Sequence, residues 1–212
     1  MTSRAQQSPI DLRHTVSTKY PHTLRISWTE DVQGTIVRDD HGVKIVYGSD
    51  ARQVLELDGK KYHLAEMHFH HPSDHWVDGM QQLIEVHIVS QNVHDGTRAA
   101  LGVFIDVEQV SVEGRADEIT RVLDHMERCE PGGSLAFITN PLAYLPGDVE
   151  HYYRYEGSLT TPDYAEDISW AVFRDAARFP RRQVDRMIRL FGDPPRLPQP
   201  LNRRFVLANF PS

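Results

Sequence analysis

The chain has 212 residues, 40% of them hydrophobic, with 23 Lys and Arg against 30 Asp and Glu, for a net charge of -7. That length suits one buried core, and a single domain over residues 1–212 is expected. The acidic balance gives no electrostatic attraction to nucleic acid or to an anionic membrane, so neither is expected as a partner.

In chain order, alternating apolar and polar residues predict strands at Leu24 to Trp28, Thr35 to Val37, Val43 to Tyr47, Gln53 to Leu57, Tyr62 to His70, Leu83 to Ser90 and Ala99 to Val107. Helical spacing predicts Ala116 to Arg128 and Pro180 to Phe191. The second helix opens on a proline, which suits a first helical position, and stops before Gly192-Asp193-Pro194-Pro195. Short turns separate most of the strands, so the fold class is mainly β with peripheral helices and a mostly antiparallel sheet. No apolar run reaches transmembrane length, and Met1 to Gln7 are polar. A cytoplasmic location is expected, or a periplasmic or secreted one if a signal peptide was removed. The single cysteine, Cys129, cannot form an internal disulfide.

Twelve histidines are present, and most are scattered. In Glu66-Met67-His68-Phe69-His70, residues two apart on a strand share a face, so two imidazoles and a carboxylate line up. Glu85-Val86-His87 repeats the arrangement on the next predicted strand, and antiparallel pairing across the turn residues Pro72-Ser73-Asp74 and Asp78-Gly79 brings His87 to the first pair. His68, His70 and His87 are therefore candidate ligands for Zn2+, and three nitrogen donors leave one tetrahedral position open, the arrangement of catalytic zinc. Glu66 and Glu85 stand two residues before their histidines. There they can accept the second ring proton and fix the tautomer. His71 falls on the opposite face of the strand alternation and is expected to be structural.

These residues resemble the α-carbonic anhydrases, and the likeness runs from Gln7 to Phe210. Four blocks carry it: Gln7-Ser8-Pro9-Ile10-Asp11-Leu12; the His68 to His87 region; Tyr155-Glu156-Gly157-Ser158-Leu159-Thr160-Thr161-Pro162 followed by Ile168-Ser169-Trp170; and Gln199-Pro200-Leu201-Asn202-Arg203-Arg204. The resemblance implies a large central twisted sheet and reversible hydration of carbon dioxide to bicarbonate, with zinc hydroxide as nucleophile. In that enzyme class the zinc-bound water is acidified to near neutral pH.

Carried over residue by residue, the resemblance makes Thr160 the group that orients the nucleophile, with an acidic side chain accepting the Thr160 proton. That acid is a glutamate in the family. The thirteenth residue before His87 is Asp74, one methylene shorter, so a lengthened or water-bridged bond is expected. Val89, Ala100, Leu159, Thr161, Ile168 and Trp170 map to the substrate pocket, with Ala100 in place of the usual valine. His41, in Asp40-His41-Gly42-Val43, maps to the proton-shuttle region, where an imidazole suits transfer to buffer. The family carries a further segment ahead of the Gln7 block, and without it either a more open mouth or cover by another part of the chain or a partner is expected. The substrate is a small molecule, and a homodimer is compatible with the sequence. Two other readings stay open: a carbonic-anhydrase-related binding module with weak or no activity, and a zinc hydrolase or lyase acting on a larger substrate.

Overall fold

A computed structural model describes residues 5–18, 23–39, 42–48, 50, 52–108, 115–191 and 194–211. Short strands β1 (Asp11–Leu12), β2 (Val16–Ser17) and β3 (Arg25–Ser27) precede the longer β4 (Val32–Asp39) and β5 (Gly42–Tyr47). They are followed by β6 (Val54–Leu57), β7 (Lys60–His70), β8 (Trp76–Val77), β9 (Met80–Gln81), β10 (Ile84–Gln91) and β11 (Arg98–Glu108). Helix α1 (Arg115–Arg128) leads to β12 (Ser134–Thr139), a 3-10 turn at Pro141–Tyr144, β13 (Tyr152–Gly157) and β14 (Ile168–Phe173). The described chain closes with β15 (Ala177–Pro180), α2 (Arg181–Leu190) and β16 (Leu207–Ala208).

One sheet dominates, in the order β12-β4-β5-β7-β10-β11-β14-β13-β16-β2, with β15 also on β11 and the β3–β6 pair attached to β7. Its pairings are mostly antiparallel, as expected, but β14 and β15 both run parallel to β11, and β2 runs parallel to β16. A small second sheet joins β1, β8 and β9. No helix among the described residues is long and apolar enough to cross a membrane.

All seven strands expected from alternation are present, shifted by at most three residues at an end. Helix α2 starts one residue later than the proline rule suggests. Pro180 is still extended, with ψ 144°, because it pairs with Glu108 at the end of β11. In α1, Ile119, Val122, Leu123 and Met126 recur at helical spacing and are all buried. Each such burial contributes about 1.5–3 kcal/mol. Arg186 of α2 bonds Asp124 at 2.7 Å and Glu127 at 2.8 Å on α1, tying the two helices together outside the sheet.

The sheet separates two apolar clusters. The larger contains Met67, Phe69, Val86 and Ile88 with both helices, and the smaller contains Val89, Ala100, Tyr155, Ile168 and Trp170. Period-two alternation along β7 and β10 thus sends apolar residues to the large cluster and leaves Glu66, His68, His70, Glu85 and His87 on the other side. Packing there is tight around Gly157: an added Cβ would lie 2.2 Å from Ser8 Oγ and 2.8 Å from Tyr155 Cε2. Gly157→Ala is therefore expected to cost about 1–3 kcal/mol of stability. Thermal unfolding checks this, and an unchanged melting temperature would contradict it.

Candidate active site

Strand register assembles the three histidines. β10 pairs antiparallel with β7 so that His87 stands opposite His68 and Glu85 opposite His70, while β5 places Lys44 on the other side of His68. The ring centroids lie 5.0 Å apart for His68–His70, 5.2 Å for His68–His87 and 4.4 Å for His70–His87. One nitrogen of each ring lies within 4.8 Å of the other two. Burial pushes the pKa of His70 well below the ordinary value, reinforced by the neighbouring His87 and His68. Burial likewise lowers His87, against the opposing pull of the Glu85 carboxylate. Neutral imidazoles with free lone pairs are what a metal requires. His70 Nε2 is buried and makes no hydrogen bond. Three converging ring nitrogens, one of them buried without a partner, fit a zinc ion.

Carboxylates stand behind two of the rings. Glu66 Oε1 lies 3.1 Å from His68 Nδ1, which leaves Nε2 as the lone-pair atom of that ring. Lys44 Nζ sits 3.8 Å from Glu66 Oε2 and 3.7 Å from Asp39 Oδ2. Glu85 is wholly buried and bonds His75 Nδ1 at 2.6 Å and the His75 backbone N–H at 2.8 Å, while His87 Nε2 lies 3.0 Å away outside hydrogen-bond geometry. Burial alone would raise the Glu85 pKa, but the two imidazoles outweigh it and hold the carboxyl well below its usual range. From His75 the chain of contacts continues through Tyr155 OH, 2.6 Å from His75 Nε2, to Ser8 Oγ at 2.9 Å, which also accepts the Ser158 N–H. His75, Tyr155 and Ser8 were not assigned roles from sequence. The only local signal is that His75 directly follows Asp74.

Asp74 is 1% exposed, and Thr160 is close by. Burial raises the Asp74 pKa, and a hydrogen bond from the Thr160 side chain works in the opposite direction. Asp74 Oδ2 has no hydrogen-bond partner at ordinary geometry and lies 3.5 Å from His70 Nε2. The other oxygen, Oδ1, accepts the Arg196 backbone N–H at 3.1 Å. The Arg196 guanidinium in turn donates to Ser8 O and Gln7 Oε1 and lies 4.0 Å over the Tyr164 ring.

A cleft of about 480 Å³ opens over the triad, lined by His68, His70, Asp74, Thr160, Thr161 and Arg196 among others. Of the residues mapped to the substrate pocket, Thr161 lines this cleft. Val89, Ala100, Ile168 and Trp170 instead lie in the packed cluster beside the triad, at 1–5% exposure, with Leu159 against them. Inward strand positions bury them, and Trp170 reaches the site as an edge contact to His87, centroids 4.8 Å apart. The cleft walls come from Phe69, Pro162, Tyr164, Leu190, Phe191 and Pro195. His71 also differs from expectation: it follows the last residue of β7, where alternation stops, and lines the cleft with Nδ1 2.8 Å from Leu83 O. His41 lies outside the described residues.

Three converging imidazoles, two of them with a carboxylate behind, stand on the central strands of such a sheet and could hold a metal ion. The chain belongs to the eukaryotic-type carbonic anhydrase family, whose sequence profile matches residues 1–210. Carbon dioxide hydration is that family's general function, its members are zinc enzymes, and the relatives place the chain among carbonic anhydrase enzymes. It is 30% identical over 240 residues to human (Homo sapiens) carbonic anhydrase 6, covering 98% of this chain and 76% of that protein. Its fold is similar to the α-carbonic anhydrase of Photobacterium profundum, with TM-score 0.84, 28% identity and coverage of 97% and 90% of the two chains. The α-carbonic anhydrase of Thermovibrio ammonificans, solved in complex with the inhibitor sulfanilamide, is similar at TM-score 0.83 and 33% identity, covering 96% and 87%.

Proposed function

We propose that the chain catalyses reversible hydration of carbon dioxide to bicarbonate and a proton, with zinc held by His68, His70 and His87. The convergence of three imidazoles, with one nitrogen of each within 4.8 Å of the others, supports this reading most directly. When bound, zinc supplies a Lewis acid that makes a water acidic near neutral pH. Glu66 and Glu85 hold the protons on His68 Nδ1 and His87 Nε2, keeping the opposite nitrogens available. Thr160 commits its own proton toward Asp74, so its oxygen is left to accept a hydrogen bond from the attacking oxygen and turn a lone pair toward carbon dioxide. Val89, Ala100, Leu159, Ile168 and Trp170 form the apolar side of the site, excluding water beside the triad.

Stopped-flow hydration of carbon dioxide with a pH indicator tests the proposal. The expected result is a rate well above a zinc-free control, and a rate equal to that control would move the chain to the binding-module reading. Thr160→Val removes the orienting hydroxyl and is expected to lower kcat/KM by about 10²-fold with zinc content unchanged. Proton export is proposed for His41. His41→Ala should slow turnover in weak buffer and recover with added imidazole; turnover insensitive to the substitution would remove His41 from the mechanism.

A further inference from the structure

Asp74 draws its one hydrogen bond of ordinary geometry from the backbone of Arg196, 122 positions away in sequence. The placement of that N–H depends on what holds Arg196. Its guanidinium donates to Ser8 O at 2.6 Å and to Gln7 Oε1 at 2.9 Å, and its face lies over the Tyr164 ring at 4.0 Å from the centroid. A cation over an aromatic face at this distance is attracted by the ring quadrupole.

Tyr164 is itself held in an unusual state. Its φ is +60°, a left-handed conformation that costs a non-glycine residue about 1–3 kcal/mol and persists only where neighbours enforce it. Those neighbours are present: its N–H donates to Thr161 O at 2.9 Å, and Gln7 Nε2 donates to its carbonyl at 3.2 Å. A second bond from Gln7 Nε2 reaches Glu166 Oε1 at 2.8 Å, so Gln7 holds the segment at Tyr164 and Glu166 while also accepting from Arg196. The ring lines the same cleft as Thr160 and Asp74.

We infer that Tyr164 is a positioning residue: its ring, with Gln7, fixes Arg196, whose backbone N–H fixes Asp74 and so sets the direction of the Thr160 hydroxyl. This rests on the hydration reading above. It also accounts for how a shorter acid is kept in place, since the Asp74 carboxylate is anchored from the Arg196 side and not by a tight bond to Thr160.

Tyr164→Gly is the informative variant, because glycine adopts the same φ without strain and only the ring is lost. The expected result is kcat lower by about tenfold, KM within about twofold of wild type and unchanged zinc content. Amide hydrogen exchange at Arg196, read by NMR, should become about tenfold faster. Tyr164→Phe keeps the ring and should restore both values. In a Thr160→Val background the glycine substitution should cause no further loss, since the effect passes through Thr160. Wild-type exchange at Arg196 in Tyr164→Gly overturns the inference, as does an equal tenfold loss in both backgrounds. Absence of carbon dioxide hydration by the wild-type chain would sink the functional proposal instead, and the exchange measurement would still decide whether the clamp exists.

Discussion

Purified His87→Ala protein is expected to contain no zinc above background, where the wild-type chain carries about one zinc per chain. Carbon dioxide hydration should fall with it to the uncatalysed rate. The effect is large because His87 supplies the one nitrogen that comes from β10; His68 and His70 share β7, and two imidazoles leave a divalent ion with half a tetrahedron. The ring is 1% exposed, so no water-filled path lets a surface group replace it. Circular dichroism should still report the sheet, because the β7–β10–β11 ladder is made by backbone. A variant that retains a full zinc load would show that the ion sits elsewhere.

Glu85→Ala is expected to be the most destabilising single change at the site. The carboxylate bonds the His75 ring and the His75 backbone N–H, both buried, and lies 3.0 Å from His87 Nε2, so its loss leaves two donors without an acceptor and His87 without its counter-charge. Each buried unsatisfied group costs about 1–3 kcal/mol, and such costs are not additive within one network, so a loss of about 3–5 kcal/mol is expected. Melting temperature should fall by about 6–20 °C. Zinc affinity should weaken by about 10–100-fold, because His87 no longer has its tautomer fixed. Thermal unfolding of the apo protein separates the two effects. A melting temperature within about 2 °C of wild type would mean that water replaces the carboxylate, contrary to its complete burial.

The triad was legible in the sequence because a strand's period of two is local information. Glu66, His68 and His70 declare a shared face within five residues, and Glu85-Val86-His87 repeats it on the neighbouring strand. The same logic places β3 to β7, β10 and β11. It failed where pairing is remote: alternation within Ile168–Phe173 or Ala177–Pro180 says nothing about a parallel alignment with β11. His75 and Tyr155 were missed for a related reason. They are 80 positions apart, and His75 lies in an irregular segment where no periodicity assigns a face. Val89, Ala100, Ile168 and Trp170 map to the substrate pocket only through the family resemblance, and their depth depends on the packing of the smaller cluster, which no single strand encodes.

The Asp74–Arg196 bond also bears on the order in which the molecule is completed. The three imidazoles come from β7 and β10, within one stretch of 20 residues from His68 to His87, so the metal position can be assembled from a local strand pair. Asp74, by contrast, waits for Arg196, and Arg196 waits for Gln7 and Ser8, up to 189 positions away. Contacts of such sequence separation form late in folding because loop closure must precede them. A chain in the course of folding can therefore capture zinc before it can orient a nucleophile, so metal content would rise ahead of activity during refolding.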